Sequence, residues 1–75
     1  MNRRSLLDSI ELSTRRRRRD AVKLAMDLVA GIHLAESGYM ERIPANLQGG
    51  DAYQAAEQAL DYLVEAIDAL EAAYE

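Results

Sequence analysis

The sequence contains no cysteine, no tryptophan and no phenylalanine, and it has one proline and four glycines. Without cysteine there is no disulfide to staple a small fold and no thiolate to hold a metal. The lack also fits a cytoplasmic compartment. Few β-branched residues and abundant alanine, leucine, arginine and glutamate argue against a sheet and for an all-α chain. At 75 residues and 8.4 kDa there is room for a single domain. A folded chain of that size buries only about 60% of its unfolded surface, so a core made by one copy is marginal. A deep private pocket loaded with a cofactor is excluded on size. We therefore expect no cofactor and read the chain as non-enzymatic.

The clearest element lies in the second half. Tyr53, Ala56, Leu60, Leu63, Ile67, Leu70 and Tyr74 are spaced 3, 4, 3, 4, 3, 4, which is an unbroken a/d heptad seam. The seam predicts a helix over 51–75, with Tyr53, Leu60, Leu63, Ile67 and Leu70 as its core and oligomer contacts. Asp51 follows Gly49-Gly50 and has the chemistry of an N-cap. One position behind the seam runs a second stripe, Ala52, Ala55, Ala59, Tyr62, Ala66, Ala69 and Ala73. Together the two stripes make an apolar arc wider than one partner helix can cover. The expected architecture is an antiparallel two-helix hairpin that assembles into an oligomeric helical bundle.

Upstream, Ala21, Leu24, Ala25, Leu28, Val29, Ile32 and Ala35 predict the apolar face of the first helix. Gly31 and Gly38 weaken it by about 1 kcal/mol each relative to alanine. Pro44 disfavours helix at Ile43 and stops this helix by about Arg42. We assign 17–42 to the first helix, 43–50 to the turn and 1–16 to a basic arm or helix extension. The extension would start at Ser5, with Asp8 three residues on, and either continue to Met40 or break near Ser13-Thr14. In the turn, Ile43 and Leu47 are expected to tuck under the hairpin end. A second helix of about 24 residues spans roughly 36 Å, so residues up to about Arg16 overhang the hairpin. The overhang has an apolar face of its own, Leu6, Leu7 and Ile10, and a second copy of the chain is the simplest cover.

Charge is divided unevenly. Residues 1–23 hold eight of the nine basic residues and three acids, a net of +5, whereas residues 24–75 hold one basic residue and ten acids, a net of −9. The sharpest feature is the run Arg15, Arg16, Arg17, Arg18 and Arg19. It precedes an apolar stretch in the manner of a signal peptide, but Lys23, Asp27 and His33 interrupt that stretch, so neither a leader nor a membrane span is expected. On a helix, five consecutive residues sweep roughly 500°, so at least one guanidinium turns towards the bundle. An inward guanidinium needs a carboxylate or a phosphate.

Two readings stay open at this point. Arg15 to Arg19 pair with acids such as Glu71 and Glu75 within or between subunits, or they line an anion site between subunits with Tyr74 and Tyr62 as aromatic neighbours. Nucleic acid is a weaker partner for a chain of net charge −4, because the phosphate backbone repels it and Tyr74 alone is placed for stacking.

Other chemistry is sparse. His33 has no second histidine to share a metal and reads as a packed residue. Asp61, Glu65 and Asp68 fall on the face away from the seam and read as solvated. Gly49-Gly50 lacks the strand and the Lys-Ser/Thr of a phosphate loop.

Tyr39, the turn Ile43-Pro44-Ala45-Asn46-Leu47-Gln48, the helix start Gly50-Asp51-Ala52-Tyr53 and the closing Ala66-Ile67-Asp68-Ala69-Leu70-Glu71-Ala72-Ala73 resemble a group of short, uncharacterised helical-hairpin proteins of bacteria and their phages. The resemblance covers about half of the chain, and the arginine run departs from the group's Lys/Glu-rich first helix. It implies a hairpin and a phage or mobile-element setting, with no activity to transfer. In architectural style the chain is similar to small phage anti-defence proteins that sequester host nucleotide immune signals, which is a likeness of form alone. Three functions follow in order. The first is sequestration of a phosphorylated small ligand such as a nucleotide at an arginine-lined intersubunit site. The second is a protein-interaction or assembly module that docks on a host or phage protein without a small ligand. The third is nucleic-acid binding through the arginines.

Overall fold

In the computed structural model, which describes residues 12–74, two helices form an antiparallel hairpin and no strand occurs among the described residues. The first, α1, runs Arg15–Glu41 and the second, α2, Asp51–Ala73. Between them Pro44 leads into a single 3₁₀ turn, Ala45–Leu47. Ser5, Leu6, Leu7, Asp8, Ile10 and the overhang they were expected to form lie outside the described residues.

Thr14 decides where α1 begins. Its backbone is extended, and its Oγ1 accepts a hydrogen bond from the Arg17 N–H at 3.1 Å. That satisfies one of the four N–H groups that a helix start leaves without a partner. The helix thus breaks from whatever precedes it at Ser13-Thr14 and starts two residues before the expected position 17. Thr14→Ala is predicted to cost about 1 kcal/mol, read as a drop of roughly 4–8 °C in Tm for a domain of this size.

At the other end the Arg42 N–H bonds the carbonyls of Gly38 and Tyr39, at 3.3 and 3.1 Å, and Pro44 prevents another turn. The start of α2 corrects one expectation. Gly50, not Asp51, is the N-cap, and no side chain caps the helix. Asp51 is the first helical residue, where its charge still favours the positive end of the helix. Gln54 Nε2 donates to the Gly49 carbonyl at 3.1 Å and ties the turn to α2. A Cβ on Gly50 would sit 3.2 Å from the Leu47 carbonyl, which explains a glycine there. Ile43 is half-buried beneath the bend, whereas Leu47 is exposed. In a single 3₁₀ turn its side chain points outward.

Every seam position of α2 is covered to some degree, with Ala56 buried at 1% exposure and the other six half-buried. The covered positions of α1 are largely not the expected ones. Val22, Met26, Val29, His33, Glu36 and Met40 are half-buried, at spacings of 4, 3, 4, 3 and 4. Of the predicted face, Ala21, Ala25 and Val29 are half-buried, while Leu24, Leu28, Ile32 and Ala35 are exposed. The expectation took the most hydrophobic arc of α1 as the one that meets α2. In the structure that arc is turned about a quarter of a revolution away. Among the described residues Ala56 alone is buried, so the hairpin has a seam but little core.

Candidate functional site

The arginine run occupies the first turn and a half of α1, at the open end of the hairpin, and all five residues are exposed. No acidic residue lies in that first turn. Five cations therefore crowd the positive end of their own helix dipole, an arrangement that costs rather than gains stability. The antiparallel partner offsets it. The last turns of α2 hold Glu71 and no basic residue in the final turn, which is wrong for the dipole of α2 in the opposite sense. Side by side, each helix end supplies the counter-charge that the other lacks.

The five arginines divide by position. The Arg15 guanidinium lies over the Tyr74 ring, 4.9 Å from its centre, within the range of a cation–π contact. Arg19 borders a groove of about 230 Å³ together with Val22, Lys23, Met26, Leu70, Glu71 and Tyr74. Arg16 and Arg17 line a larger, polar depression of about 400 Å³ with Thr14 and Asp20. Arg18 Nη1 donates to the Leu12 carbonyl at 3.0 Å, which steadies the chain entering the helix. Two of the arginines, Arg15 and Arg19, thus turn to α2, as the angular sweep of five helical residues requires.

Of the two tyrosines expected beside the arginines, Tyr74 is half-buried under Arg15. Tyr62 is elsewhere, 62% exposed on the alanine stripe and about 18 Å along the helix from Tyr74. The structure brings Arg15, Arg19 and Tyr74 together and leaves Tyr62 out. Sequence reasoning missed Val22, Lys23 and Met26 as lining of the groove. The signal was present in the 4, 3, 4 spacing that continues from Val22 and Met26 through Val29 and His33.

His33 is half-buried on the seam, and Asp61, Glu65 and Asp68 are exposed. No three His, Cys, Asp or Glu residues among those described converge as metal ligands would. No helix among them is long and apolar enough to cross a membrane. No protein-family model, curated protein or solved structure matches the chain.

Proposed function

We propose that the chain is a non-enzymatic, self-associating helical hairpin whose arginine-bearing end holds a phosphorylated small ligand, with a nucleotide as the best-fitting class. The observation that carries the reading is that the Tyr74 ring lies under Arg15 and lines one groove with Arg19. Guanidinium groups grip phosphate oxygens in bidentate fashion, and a tyrosine ring at the same place offers a stacking surface for a base. A phosphate there would also relieve the crowding of cations at the start of α1. Neither depression beside the arginines is lined by histidine or cysteine, which favours holding a ligand over converting it. Sequestration is the function that such a site serves.

The test is calorimetry with a panel of mono-, di- and cyclic nucleotides. At least one member should bind with micromolar affinity, and Arg19→Ala should weaken it by about tenfold or more, equivalent to roughly 1.4 kcal/mol, with unchanged circular dichroism. No binding tighter than millimolar by any member would refute the reading. If a DNA duplex binds instead, with affinity collapsing between about 50 and 200 mM salt, the arginines serve nucleic acid.

A further inference from the structure

The two sides of the hairpin differ in chemistry. With the covered positions of each helix taken as a and d, Lys23 and Glu71 are both e positions. They line the same groove, so the e positions of the two helices share one side. In an antiparallel pair the g positions then share the other. The e side carries Asp20, Lys23, Asp27, Glu57, Asp61 and Asp68, with Leu34 and Val64 isolated among them. Between Arg18 and Arg42 the g side carries no charge. From α1 it presents Leu28, Ile32 and Tyr39, all exposed, and from α2 it presents the alanine stripe with Tyr62.

We infer that a second copy of this chain docks on the g side, with the two-fold axis running along the helices, so that both arginine turns lie at one end of a four-helix bundle. This deepens the self-association contained in the proposed function and rests on that part of it. Size complementarity selects the occupant. Leu28 and Ile32 stand on α1 and, Tyr62 apart, small residues stand on α2, so laying α1 over α2 of the second copy sets protrusions against alanines on either side of Tyr62. The surface is its own complement, as a two-fold interface must be.

Charge selects the orientation. A two-fold axis across the helices would set α1 on α1 in opposite directions, placing Arg18 beside Arg42 of the other copy and leaving alanine facing alanine. An axis along the helices instead places each arginine turn beside the C-terminal end of α2 in the other copy. There the negative end of the α2 dipole receives it.

The chain has no cysteine, so single cysteines report cleanly. Native mass spectrometry should give twice the chain mass, and a monomer would overturn the inference. Spin labels on Gln48→Cys, in the turn, should lie within about 30 Å of each other across the dimer. The reversed orientation separates the turns by the length of α2, roughly 35 Å or more, and that distance would overturn the axis while leaving the face intact. A third measurement isolates the face. Ile32 and Leu34 are both exposed on the single hairpin, at 55% and 75%, but lie on opposite sides. Ile32→Cys should react with a thiol reagent about tenfold more slowly than Leu34→Cys, since reactivity follows access, and the difference should vanish on dilution. Equal rates in the dimer would show that another face is used. None of these outcomes depends on whether a nucleotide binds.

Discussion

Replacing Leu63 by aspartate is expected to abolish the helical circular dichroism signal and the cooperative melt. Leu63 sits at the middle of the covered face of α2 and is half-buried against α1. The substitution removes apolar contact and places an unpaired carboxylate in the seam, a loss of several kcal/mol. A chain of this length has a total stability of roughly 4–11 kcal/mol, and the thin core described above argues for the lower part of that range. Val64→Asp, one residue on but exposed among carboxylates on the e side, is the matched control and should remain folded. A Leu63→Asp variant that stays helical, with an unchanged melting point and unchanged mass, would mean that the two helices do not meet along this seam.

The second large effect is expected from adding volume. Ala56 is the one buried residue among those described. In the antiparallel register it lies opposite the stretch of α1 around the half-buried seam residues Glu36 and Met40. A residue as small as alanine leaves room for α1 to approach closely next to the bend. Ala56→Leu must push the helices apart or force an unfavourable rotamer, at a cost of about 1–3 kcal/mol. The melting point should fall by about 10 °C. Ala72→Leu adds the same volume on the outer surface of α2 and should change stability by no more than about 0.5 kcal/mol. Equal melting points for the two variants would show that the approach near the bend is loose.

The two helices were legible to different degrees. In α2 most of the large apolar residues fall on one stripe and most of the alanines on the next, with Ala56 and Tyr62 exchanged, so spacing separates the side that meets α1 from the side that does not. In α1 the ordering is reversed. The larger, more hydrophobic Leu24, Leu28 and Ile32 lie on the exposed side, while the seam accepts His33, Glu36 and the flexible Met26 and Met40. Hydrophobicity ranks residues by their preference for burial, without saying which partner provides it. A helix destined for two partners carries two apolar stripes, and sequence does not rank one above the other. The arginine-bearing end behaves similarly. That at least one arginine must turn inward is a property of helical geometry. That Arg15 is the one over Tyr74 and Arg19 the one beside it in the groove depends on the rotation of α1 against α2.

The features legible in the residues alone are therefore local and periodic. Helix propensity, the 3,4 spacing of α2 and the block that Pro44 imposes on α1 together specify two helices and a bend, because each acts within a turn or two of chain. The rotation of α1 was settled by packing. The angle at which α1 lies against α2 follows from fitting both surfaces at once, and that angle turns Leu24, Leu28 and Ile32 to solvent and Arg19 to the groove. It also brings Arg15 onto Tyr74, 59 positions along the chain, a contact that no local rule contains.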